Sequence, residues 1–329
     1  MLLALIAARA MAQSENCHPL DTVRPPGDLW ATIPNILKPG DYCLLKDVKA
    51  PRVYVISEGG EKAFLDGAML LISVPNLSID LRGFTLDADP SGMGAIFTRR
   101  NQGVPYLGHI IIRNGTIVSR TDNGINLGSK RGSLLSDYQE MYRNSKYAQE
   151  EFEKLLKSLP ANAAAYPKTE HKLENLRIFA SNNIRKKEWS RSGVGLYGAD
   201  NVIRNSTIEV GGSMAAIYSF GPNGVIENNI IIFKGEAGTQ SAAPIKLHHG
   251  DGTIIRNNDI IVESSGDYPP KAAISLIDSK DVIVENNRIY GIDKLVQAWD
   301  DKSNLIDKGN EFRSLLRRPW TVFGAPGVH

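Results

Sequence analysis

Four segments of the chain align with one another without gaps: NVIRNSTIEV (Asn201–Val210), GVIENNIIIF (Gly224–Phe233), TIIRNNDIIV (Thr253–Val262) and VIVENNRIYG (Val282–Gly291). Each has an apolar pair, a charged residue, an asparagine, a small or polar residue and a second apolar run. The aligned asparagines, Asn205, Asn228, Asn257 and Asn286, stand 23, 29 and 29 residues apart. A weaker copy, LIDKGNEF (Leu305–Phe312), has Gly309 in the asparagine's place, and IIIRNGTIV (Ile110–Val118) upstream offers Asn114. LSIDLRGFTL (Leu77–Leu86) has a related pattern with Arg82-Gly83. Strands this short cannot bury a face alone, but stacked coils pair every strand in a parallel ladder. Asn tolerates left-handed backbone angles, so it suits a fixed corner, and its amides can bond from coil to coil as in other stacked sheets.

With its asparagine in one turn, the repeat resembles the right-handed parallel β-helix of the pectate-lyase-like superfamily, over Leu70 to about Phe312. The resemblance implies an all-β solenoid with an Asn-rich corner and a polysaccharide lying along one strand face. Chemistry does not follow from it, because that superfamily includes lyases, hydrolases, epimerases and binding proteins.

Around the solenoid, residues 13–69 are expected to form an N-terminal cap and first coil, and 313–329 a C-terminal tail. The repeat is interrupted at about 129–172. There Ser136-x-x-Gln139 reads as a capping box, Pro160 as a stop, and Tyr138, Met141, Tyr142, Phe152, Leu155 and Leu159 share one helical stripe. One inserted α-helix is predicted. Residues 1–12 read as a signal peptide, with an apolar core Leu2–Ala8 and Ala10-Met11-Ala12 before Gln13, although the usual positive start is absent. That implies a secreted or periplasmic protein. Cys17 and Cys43, the two cysteines, form either one disulfide or two buried thiols. A net charge of +2 with both signs spread along the chain gives no case for a nucleic-acid partner, and no apolar run is long enough to span a membrane.

Aligning the strands before each Asn segment separates inward from outward residues. GVGLYG, AIYSFG, PIKLHH, AISLID and LVQAWD put Val194, Leu196, Ile217, Ser219, Ile245, Leu247, Ile274 and Leu276 inside. One outward column reads Gly195, Tyr218, Lys246, Ser275, Gln297, and the next Tyr197, Phe220, His248, Ile277, Trp299. Phe97, Arg99 and Asn126 extend the face upstream. Tyr197, Phe220, Trp299, Phe97, Asn126 and Ser275 are therefore candidate substrate contacts, the aromatics offering flat faces to sugar rings.

For chemistry, the resemblance allows specific motifs to be checked. The paired aspartates, Gly-His-Gly and Arg-Ile-Lys of polygalacturonases and the Asp-Pro-His-Asp of alginate epimerases are absent from this sequence. Asp122, Asp278 and Asp300 are scattered in sequence, so calcium is not supported. β-Elimination on an acidic polysaccharide remains. Lys246 or Arg99 would neutralise a uronate carboxylate, His248 would remove the α-proton, and Tyr218 would protonate the leaving oxygen. A non-catalytic solenoid that binds glycan or protein is the alternative, and a polysaccharide hydrolase the third reading. His248, His249 and Asp251 suggest a metal cluster, but neighbours on a strand point to opposite sides unless the strand has already ended at His249, and no further ligands are in view; no metal or other cofactor is expected.

Overall fold

The computed structural model describes residues 17–20, 35–50, 55–56, 62–63, 68–89, 94–98, 107–120, 123–128, 166–181, 192–212, 215–235, 243–263 and 269–317. The expected signal peptide, inserted helix and C-terminal tail lie outside the described residues, apart from 166–172 and 313–317. Two parallel sheets dominate, of seventeen and nine strands, with a two-stranded antiparallel ribbon of Val55–Ile56 and Lys62–Ala63 beside them.

Each later coil contributes one strand to the nine-stranded sheet and two to the other. The coil holding the histidine pair runs Ile245–His248, Ile254–Arg256 and Asp259–Val262, and the next runs Ile274–Ile277, Val282–Glu285 and Arg288–Tyr290. In these two sheets each strand pairs in parallel with the strand one coil away, which leaves its inward side chains to fill a continuous core. Ile217, Ile245, Leu247, Ile255, Ile260, Ile274 and Leu276 are all fully buried there. The inward set is the one strand alternation requires.

The corner between the two strands of the larger sheet turns on a single left-handed residue. Asn114, Asn175, Asn205, Asn228, Asn257 and Asn286 take φ of 53° to 59°, and Gly309 takes 62°. Asn175, in LENLRIFA, is a copy that gapless alignment passes over, because Leu176 stands where the others carry a small or polar residue. The buried ladder of amides runs through the residue after the corner. Asn258 Nδ2 donates to Asn287 Oδ1 and to the Ile226 carbonyl, both at 2.9 Å, while its Oδ1 accepts from Asn229. Asn287 repeats the arrangement on Asn310, and Asn229 receives Ser206 N–H. Among the described residues the expected bonds between corner amides are seen at one place, Asn175 Nδ2 to Asn114 Oδ1 at 3.2 Å. The reason is geometric: the left-handed residue points its side chain to solvent, and the following residue turns inward, where an amide must find partners.

Outside this wall the register stacks Asp80, Arg113, Glu174, Arg204, Glu227, Arg256, Glu285 and Lys308 in one column of alternating charge. Arg204–Glu174 and Arg256–Glu227 close at 2.7 Å. Opposite charges across neighbouring strands favour this register over a slipped one. At the N-terminal end Cys17, just before the strand His18–Pro19, is disulfide-bonded to Cys43 on the parallel strand beside it, 26 residues on.

His171 is fully buried, and burial lowers its pKa to about 3, with His109 adding to the effect. Its Nδ1 accepts the Ile110 N–H at 3.4 Å, so the ring sits neutral in the fold. The unfolded chain binds that proton near pH 6.5 and the folded chain does not. Stability should therefore fall as pH drops from about 6.5, by about 2 kcal/mol at pH 5. Urea melts across this range check it; a His171→Gln variant should show a flatter profile.

Candidate functional site

The nine-stranded sheet carries the candidate site on its outer face. Its register pairs Gly195 with Tyr218, Tyr218 with Lys246, Lys246 with Ser275 and Ser275 with Gln297. The second column pairs Tyr197 with Phe220, Phe220 with His248 and His248 with Ile277. Trp299 follows, its backbone N–H bonded to Leu276 O at 3.0 Å. Upstream, Phe97 pairs with Asn126 and Asn126 with Gly195, two coils before Lys246. Arg99 lies outside the described residues.

Tyr218, Lys246 and His248 come together. The Tyr218 hydroxyl and His248 Nδ1 are 3.3 Å apart, and Lys246 stands beside Tyr218 in the register. Burial raises the Tyr218 pKa to about 12 and lowers that of Lys246. His248 is lowered to about 4, first by burial and then by His249; Asp278 opposes this, Lys246 adds to it and Asp300 opposes it. Lys246 forms no ion pair among the described residues, so its charge is half-buried without a carboxylate neighbour in contact.

The aromatic residues do not form the open platform that alternation alone suggests. Tyr197 is 1% and Phe220 6% exposed. Their rings stack with centroids 5.9 Å apart, burial raises the Tyr197 pKa, and Phe220 also meets Tyr166, His248 and His249. Alternation fixes the side of the sheet but not what then lies over it, and here the rings tip onto one another. Ser275 is likewise buried, and its hydroxyl accepts from Trp299 Nε1 at 2.7 Å. Trp299, 49% exposed, is the open aromatic surface, with Lys271 Nζ 5.9 Å from its ring. Tyr197, Phe220 and Ser275 are thus a floor, with Trp299 at one end and Phe97 and Asn126 towards the other. Asn126 Oδ1 is buried with no hydrogen-bond partner among the described residues. It borders Gly195, where an added Cβ would sit 3.0 Å from it.

His249 takes φ 54°, which ends the strand and turns its ring to lie against His248, centroids 4.4 Å apart and planes 13° from parallel. The two do not diverge as strand neighbours would. Asp251 does not join them, because its carboxylate accepts from Lys280 N–H at 2.7 Å. Asp278 does, from the next coil: His249 N–H bonds to Ile277 O, and one ligand atom from each of His248, His249 and Asp278 lies within 4.8 Å of the others. Asp278 and Asp300, scattered in sequence, are also adjacent, since Asp278 N–H donates to Asp300 Oδ2 at 2.7 Å. That bond, with further ones from Ser303 and Lys302, holds the Asp300 pKa at about 2.

The chain matches the family described as a right handed beta helix region over residues 163–313. Taken with the parallel register of both sheets, the fold is a right-handed parallel β-helix. No curated protein matches it.

Proposed function

We propose that the protein is exported and cleaves an acidic polysaccharide by β-elimination on the outer face of the nine-stranded sheet. The observation that carries this reading is the half-buried Lys246, with no ion pair among the described residues, beside the hydrogen-bonded Tyr218–His248 pair. A uronate carboxylate set against Lys246 gains a charge-assisted contact in a partly dry site and disperses the charge that develops as its α-proton leaves. His248 takes that proton. The carbon–oxygen bond to the neighbouring sugar then breaks, a carbon–carbon double bond forms, and the leaving oxygen takes a proton from Tyr218. The Cys17–Cys43 bond supports an oxidising compartment.

Titrating uronate oligomers against three proteins tests it. Tyr218→Phe should bind within about threefold of the parent and turn over about 100-fold more slowly. Lys246→Ala should lose affinity as well as rate. Equal binding losses with no turnover in any form would favour a glycan-binding platform.

A further inference from the structure

We infer that His248, His249 and Asp278 bind one divalent transition-metal ion of the zinc class, at the end of the strands that carry the candidate site. Their donor atoms lie within 4.8 Å of one another, and all three residues are partly buried. Two imidazoles and one carboxylate suit zinc and its neighbours, whereas calcium and magnesium take oxygen donors throughout. Bonds of about 2.1 Å to a tetrahedral ion set such atoms about 3.4 Å apart, inside that limit and within reach of small rotations of the rings and the carboxylate. Three protein ligands leave a fourth position for water or a substrate oxygen.

The backbone is built to bring these groups together. Residues at the same ladder position in neighbouring coils are Gly198 and Gly221, with φ of 99° and 132°, joined through Gly198 N–H to Phe220 O and Gly221 N–H to His248 O. His249 and Asp278 continue that stack, at φ 54° and 45°, with side chains where the preceding coils have none. A left-handed residue other than glycine costs roughly 1 kcal/mol or more. Here the two that accept that cost are the two whose side chains converge on His248. Tyr218, 3.3 Å from His248 Nδ1, fixes that ring and leaves Nε2 for the ion, the usual arrangement around a ligating histidine. Asp300 anchors the backbone of Asp278 in the same way.

Metal binding does not depend on the elimination reading, because a binding-only solenoid could hold the same ion. Where the protein also cleaves by elimination, a metal-bound His248 is no longer free to be the base, and the adjacent Tyr218 would both take the α-proton and return a proton to the leaving oxygen.

Calorimetric titration of the untagged, chelator-treated full chain with Zn2+ tests the site, with Ca2+ in parallel. His249→Gly and Asp278→Asn are the variants of choice, since glycine and asparagine both accept left-handed angles and should leave the fold intact. One equivalent of Zn2+ is expected to bind with a Kd of about 1 µM or below, and Ca2+ to give no saturable binding. Each variant should weaken Zn2+ by about 100-fold or more, and Tyr218→Phe by about 10-fold. Failure of the parent to bind Zn2+ below about 1 mM would overturn the assignment. So would binding that survives both variants unchanged, which would put the ion elsewhere.

Discussion

Replacing Asn258 with alanine is expected to lower stability by about 4 kcal/mol, and Asn257→Gly to change it by less than about 1 kcal/mol. The two residues are adjacent and chemically identical, yet their surroundings differ. Asn258 is 1% exposed and bonded to Asn287, the Ile226 carbonyl and Asn229. Without its amide, the Ile226 carbonyl and the Asn229 N–H lose partners in a space closed to water, at roughly 1–3 kcal/mol each, while Asn287 Oδ1 loses one of its two donors and keeps the Asn258 backbone N–H. Asn257 is exposed at φ 55°, a conformation glycine accepts. Urea melts of both variants measure the difference. A larger loss for Asn257→Gly would mean that the ladder runs through the corner residue after all.

Removing Lys246 and His248 together should reduce turnover of an acidic polymer by about 1000-fold, roughly 4 kcal/mol in the barrier. The far-ultraviolet spectrum and melting behaviour should stay close to those of the parent. Both side chains project from the outer face, while the alternating Ile245 and Leu247 hold the core at full burial, so truncation outside leaves packing inside unchanged. Comparing kcat and KM for the double variant and each single variant separates the roles. Lys246→Ala should raise KM as well as lower kcat, because its charge meets the carboxylate in the ground state too.

Much of this architecture was legible because strand alternation and a left-handed corner leave strict marks in sequence. The columns Gly195–Tyr218–Lys246–Ser275 and Tyr197–Phe220–His248–Ile277 follow from the period of two and one fixed corner. Three features did not follow. The position of the amide ladder depends on which of two neighbouring asparagines turns inward, and ENN carries no signal for that. Burial of Tyr197 and Phe220 depends on how rings pack over a face, which periodicity does not describe. The meeting of His248, His249 and Asp278 depends on left-handed angles at two residues that are not glycine. The hint was the glycine at the end of the preceding strands, Gly198 and Gly221, which marks a position where the chain turns back.

The most direct test of the account is the ultraviolet absorbance of unsaturated sugar ends when the protein meets pectate, alginate, glucuronan and glycosaminoglycans in turn. A rise is expected with at least one of these polymers, abolished in the Lys246→Ala, His248→Ala double variant. A flat trace with every polymer, or a rise that the double variant keeps, would contradict it.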